Sequence, residues 1–498
     1  MILAKLKPIL LGCLLWTACG NTAPSPLPQA ADSAPRASVI PVAGTVAVAA
    51  GAGSAPLAGT AATSTNRPGV VAGSGGARST TPAPGGSQAA ENLAAVSSGL
   101  AGASAGATPA GGHGGATAGA SALPLGCDAN LLPVPDDLHM RGPWDASVKT
   151  LKAGRLTLEL FYPAPSGSGT GKLEASYNHG DWLPQQEQGK SPKNIAPAKA
   201  IGGPLYRDLP LDEMHGPYPV VVFIHGTASM RAASISTNAH WASRGFVVAV
   251  ADYPGLGLTD QLNAACGYPE SGSQDVEGDV QTQVAALTGA TGDYAFLKGH
   301  IDMTRLALAG HSQGACMSAT LSKTPNVRLV MPISGSTQIS PAPDLKSIMW
   351  IAGMDDTVIG YTDSLLGNLV CPANPLPASS DTGAFEASPG PPEVTKRIAG
   401  IKGGGHVSVT DLCQVNSLGH TDLAQMQMDN VCGVDSAVII GLPALFDCGT
   451  LDWKQSVGAV NYVSTAALEE ALQCRDRKAQ FDALRTNVPE LGDYKHMP

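Results

Sequence analysis

The stretch LALAGHSQGACMSA (306–319) joins two kinds of sequence across one serine. Leu306, Leu308 and the alanines among them form an apolar run of the sort buried on both faces of a parallel sheet. The small residues after Gly314 are compatible with a helix. Glycines two positions before and two after Ser312 let the chain turn sharply from strand to helix, leaving the hydroxyl exposed at a strained elbow. A helix N-terminus beneath such a serine favours developing negative charge. Ser312 is therefore read as a nucleophile, against the alternative of a structural serine in a tight turn. The pattern G-x-S-x-G alone is weak, since GASAG (102–106) matches it by chance within a low-complexity tract. Only at Ser312 does a buried strand precede the pattern.

Working outward, PYPVVVFIHG (217–226) is a continuous β-branched run, ASISTNAHWASRG (233–245) is a helix closed by Gly245, and FVVAVADY (246–253) is a second buried strand. Together they make one βαβ unit. In DVEGDVQTQVAAL (275–287), Val276, Val280, Val284 and Leu287 share one helical face. RLALAG (305–310) is a third strand. VRLVMPISG (327–335), SIMWIAG (347–353) and TKRIAGI (395–401) add three more. Upstream, SVKTLKAGRLTLELFYPA (147–164) alternates around Ala153-Gly154 and predicts an antiparallel hairpin at the sheet edge.

Two hairpin strands followed by six parallel ones resemble the α/β-hydrolase fold, from about Pro143 onward. The resemblance implies an eight-stranded, mostly parallel sheet flanked by helices. It also implies an acid and then a histidine later in the chain, because a serine hydroxyl needs a base to take its proton. IAGMDDTVI (351–359) supplies the acid at a strand end: Asp356, with Asp355 as the alternative. IAGIKGGGHVSVTDLC (398–413) supplies the base, His406, after three glycines that turn the chain; His420 in LGHTD (418–422) is its competitor. Asp356 would hold the His406 tautomer that accepts the serine proton and stabilise the imidazolium. The resemblance puts the oxyanion donors at the backbone amides of Gln313 and Thr227. His225 is expected to support its loop rather than react.

The 44 positions from Ser312 to Asp356 leave room for helix, strand, helix and strand, so no large cap domain is expected after the strand 327–333. Lid-poor relatives offer local similarity. YPVVVFIHG with HWASRGFVVAVADYPG is similar to bacterial polyester hydrolases, plant chlorophyllases and platelet-activating-factor acetylhydrolases, and GHSQGA and DDTV are similar to cutinase-like enzymes. Polyester hydrolases usually carry an aromatic residue where Thr227 stands. The polar segment 177–203 and the cysteine-rich tail are candidates to shape the cleft, with Trp182 read as packing. The resemblance implies a serine carboxylic-ester hydrolase acting through an acyl-enzyme on small-molecule, lipid or polymeric esters. The alternatives are an acyltransferase or peptidase on the same scaffold, or a non-catalytic surface binding lipoprotein. No cofactor and no metal are implied: there is no G-x-x-x-x-G-K-[ST], and the glycines before His406 lack the following helix and acidic residue of a nucleotide loop.

The 498 residues divide unevenly by composition. Residues 1–19 read as an export signal, with Lys5 and Lys7 before a short apolar core. LLWTACG (14–20) resembles a lipobox whose Cys19 becomes lipidated, giving attachment to the bacterial cell envelope; simple secretion is the alternative. Residues 20–122 are rich in Ala, Gly, Ser, Thr and Pro and predict a disordered tether. Residues 123–498 form the catalytic domain. A net charge of −10 without a basic stripe argues against nucleic acid as a partner, and a monomer is expected. Of ten cysteines, Cys13 and Cys19 lie in the leader. Cys127, Cys266, Cys316, Cys371, Cys413, Cys432, Cys448 and Cys474 remain, with no C-x-x-C pair to suggest zinc. Disulfides are expected among the last four. Cys316, facing a packed sheet, is expected to stay reduced, which leaves an odd number to pair.

Overall fold

Tyr218–Ile224 (β4) is buried at every position, and its side chains divide by parity between two cores. Val221 and Phe223 enter one, Val220, Val222 and Ile224 the other. Successive strand residues point to opposite faces, so a strand covered on both sides must be apolar throughout. The computed structural model describes residues 130–189, 197–340, 342–362, 380–391, 393–416 and 447–497. The leader with Cys19, the stretch 20–122 and His420 lie outside them.

Ten strands form one sheet: β1 (Asp145–Ala153), β2 (Leu156–Ala164), β3 (Leu205–Arg207), β4, β5 (Val247–Asp252), β6 (Ile301–His311), β7 (Val327–Ile333), β8 (Ser347–Gly353), β9 (Thr395–Ile401) and β10 (Leu491–Met497). Their order is β10-β9-β8-β7-β6-β4-β5-β2-β1-β3. Strands β4 to β9 are mutually parallel, and the β1-β2 hairpin pairs antiparallel to β5 through β2. This is the expected α/β-hydrolase arrangement with ten strands rather than eight. The additions are edge strands: β3, three residues long and parallel to β1, and β10, antiparallel to β9.

Helices cover both faces. Ile235–Ser243 (α1) and the long Trp453–Gln473 (α6) supply one core through Ile235, Trp241, Val457, Val460 and Leu468, and Leu258–Cys266 (α2) joins them through Leu258 and Leu262. Val276–Gly289 (α3) and Asp381–Ala387 (α5) pack on the opposite core through Val276, Val280, Leu287 and Phe385. Gln313–Thr320 (α4) follows β6 directly.

Two expectations are corrected. No helix lies between β7 and β8 among the described residues of 334–346, a stretch whose prolines and polar residues do not support one. Cys316 is disulfide-bonded rather than reduced, as are Cys266 and Cys474. It sits on α4, four residues after Ser312, close to the carboxyl end of β6. Removing a free Cys316 also removes the odd count. Cys413 and Cys448, two of the four late cysteines, are joined to each other. No helix among the described residues is long and apolar enough to cross a membrane.

Strand order decides where a site can form. The chain leaves β4 for β5 on one side and later returns to β6 on the other, so connections diverge at the carboxyl end of β4. Crevices open at such switch points in open α/β sheets. The loop after Ile224 and the turn at Ser312 meet there.

Candidate active site

Ser312 occupies a backbone conformation that L-residues rarely adopt, φ 54° and ψ −123°. Strain of this kind persists only where the surroundings enforce it. Two glycines do so. A Cβ at Gly310 would stand 2.2 Å from the Gly314 carbonyl oxygen, and one at Gly314 would stand 2.0 Å from that of Ile224. The first turn of α4 is thus pressed against the ends of β4 and β6, and the Ser312 amide donates to the Ile333 carbonyl at 3.0 Å.

His406 comes to Ser312 from the turn after β9. Its Nε2 lies 3.0 Å from Ser312 Oγ, and its Nδ1 lies 2.8 Å from Asp356 Oδ2. A carboxylate only accepts, so Nδ1 carries the proton and Nε2 is left to accept from the hydroxyl. The other Asp356 oxygen, Oδ1, accepts the amides of Val358 and Ile359, both at 2.8 Å. Those bonds aim the carboxylate at His406. Ser312, Asp356 and His406 are 5, 6 and 2 % exposed. Asp355 faces solvent, and among the described residues only its amide engages, donating to the Gly404 carbonyl at 2.9 Å. Of the two adjacent carboxylates, Asp356 is the one that meets His406.

His311 has a place that its sequence position did not disclose. Its Nε2 lies 2.8 Å from the His406 carbonyl oxygen, with the two rings 4.9 Å apart. Burial, with the neighbouring His406 adding to it, pushes its pKa down to about 3, so it stays neutral and donates from Nε2. The residue before the serine therefore ties the His406 loop to the turn at Ser312. The motif signalled only a variable position there.

The loop after β4 faces the elbow. The Thr227 hydroxyl hydrogen-bonds to the Gln313 side-chain oxygen, joining the two residues expected to supply oxyanion donors. Neither of their backbone amides reaches an acceptor among the described residues. His225 is buried, donates from Nδ1 to the Gly226 carbonyl at 2.8 Å and accepts the Tyr253 amide at Nε2 at 3.4 Å. Burial lowers its pKa, which keeps it neutral, and it braces the loop. Farther along, the Ala228 amide donates to Leu256 and the Leu258 amide to Ser229, at 2.9 and 2.8 Å.

Trp182 is 6 % exposed, donates to Asp252 at 3.0 Å and lies beneath the Arg231 guanidinium, 4.8 Å from the ring centre. One face of the ring is thus covered by Arg231, and its N–H is held by β5. Arg231 also meets Glu159 and Asp252, which ties the Thr227 loop to β2 and β5.

No family model matches the sequence, and no curated protein matches it. Among solved structures, the chain is similar to a ferulic acid esterase from Streptomyces cinnamoneus, at 16 % identity and a TM-score of 0.44, over 72 % of this chain and 96 % of that one.

Proposed function

We propose that this protein is a serine hydrolase that cleaves carboxylic esters through an acyl-enzyme. The observation that carries this reading is the buried chain of hydrogen bonds from Ser312 through His406 to Asp356, at 3.0 and 2.8 Å. As the Ser312 oxygen attacks the ester carbonyl, its proton passes to His406 Nε2, and Asp356 stabilises the imidazolium. The amides of Gln313 and Thr227 receive the oxyanion. His406 then protonates the departing alcohol, and a water activated by the same nitrogen releases the acid and restores Ser312. Export and a lipid anchor at Cys19 belong to the same reading, which sets the activity on substrates outside the cytoplasm.

The test is hydrolysis of p-nitrophenyl esters of increasing acyl length by the full chain and by Ser312→Ala. Wild-type turnover is expected, with kcat about 10⁴-fold lower or worse in the variant. No turnover by the folded wild-type protein, or equal rates for both, contradicts the reading.

A further inference from the structure

The neighbours of the acid and of the base touch one common segment, 447–451. The Asp447 carbonyl accepts the amide of Val407, adjacent to His406, at 3.1 Å. Its carboxylate accepts the hydroxyl of Thr357, adjacent to Asp356, at 3.4 Å and the Gly449 amide at 2.8 Å. The Gly403 carbonyl takes the amides of Thr450 and Leu451 at 2.8 and 2.9 Å. The approach is backbone to backbone, for a Cβ on Gly405 would lie 2.5 Å from the Asp447 carbonyl oxygen. Cys448, within the segment, is bonded covalently to Cys413 on the base loop, across 35 positions of sequence.

We propose that the segment 447–451, fastened by the Cys413–Cys448 disulfide, is the positioning element of the His406–Asp356 pair, with Asp447 as its point of contact to both loops. The inference rests on the serine-hydrolase reading. Asp447 acts through its neighbours rather than on the reacting atoms: it holds the loop of the base by a backbone bond and the loop of the acid by a side-chain bond. Displacing a catalytic group by about 1 Å costs up to about a hundredfold in rate, whereas groups that never touch substrate leave its binding alone. The signature is therefore a loss in kcat with KM preserved.

The experiment measures kcat, KM and Tm of the full chain with the best p-nitrophenyl ester, well below each Tm, for wild type, Asp447→Ala, Asp447→Asn, Thr357→Val, the Asp447→Ala/Thr357→Val double variant and Cys413→Ala/Cys448→Ala. We expect Asp447→Ala and Thr357→Val each to lower kcat about tenfold with KM within about twofold. The double variant should fall no further than Asp447→Ala, because that single already removes the Thr357 bond together with the Gly449 one. Asn at 447 accepts from Gly449 and donates to Thr357, so it should recover most of the loss. Removing the disulfide should lower kcat at least as far. Wild-type kcat in every variant with only Tm lowered, a loss in KM instead of kcat, or additive losses in the double variant overturns the proposal. If Asp447→Ala does not fold, Thr357→Val carries the same test from an exposed hydroxyl. An inert wild type overturns the hydrolase reading itself, a separate outcome.

Discussion

A serine with φ near +54° and glycines on either side that tolerate no Cβ concentrate the cost of this fold at one turn. Gly314→Ala should lose turnover and about 3 kcal/mol of stability, because the new carbon meets a strand carbonyl that cannot retreat. Urea unfolding beside an ester assay measures both. A second residue ties the site's neighbourhood to pH. Asp411 follows His406 on the base loop and accepts the Ser236 amide at 2.8 Å, together with the Ser236 hydroxyl, at the start of α1. Burial raises its pKa from 3.8 to about 7, against the lowering effect of those two bonds. Between about pH 4 and pH 7 the folded chain therefore holds a proton that the unfolded chain releases, and Asp411's contribution to stability falls as pH rises through that window. Asp411→Asn should flatten that part of a plot of Tm against pH; an unchanged slope contradicts the assignment. At this scale the sequence named the residues that meet, but it could not separate Asp355 from Asp356. Adjacent carboxylates differ only in which faces the amides of Val358 and Ile359. Nor could it show that Cys316 is bonded, since helical spacing gives the face a residue occupies but not its covalent partner.

Among elements, burial on both faces made the six parallel strands legible, because it demands unbroken apolar runs. The edge strands follow another rule. β3 is too short to pattern, and β10 carries Asp493 and Lys495 because one of its sides has no strand neighbour. The helix α6 is illegible for a different reason: it is buried around most of its circumference, with Ser456, Asn461, Thr465 and Glu469 among its buried residues, so no single apolar stripe stands out. Its best-defined contact is ionic. Glu469, fully buried, takes Arg244 at 2.7 Å and also pairs with Arg477, while Arg244 donates to the carbonyls of Pro135 and Met140. One carboxylate thus joins α6, the end of α1 and the chain preceding β1. Glu469→Ala should cost about 3–5 kcal/mol, because it strands a buried guanidinium. A shift in the urea midpoint of less than about 1 kcal/mol equivalent contradicts that role.

For the whole molecule, topology brings together what sequence keeps apart. Ser312 stands at the end of β6, and the loops after β8 and β9 bring Asp356 and His406 to it at the same edge of the sheet. Composition predicts that residues 20–122 are a tether, and a protein beginning at Leu123 should then keep the kcat and Tm of the full chain on soluble esters. A large loss in either contradicts the tether. Whether Ser312 is the nucleophile and His406 its base is read by peptide mass spectrometry after reaction with a fluorophosphonate. One adduct is expected, on the peptide containing Ser312, abolished in Ser312→Ala and strongly slowed in His406→Ala. An unmodified protein, or an adduct on another residue that persists in Ser312→Ala, contradicts those roles.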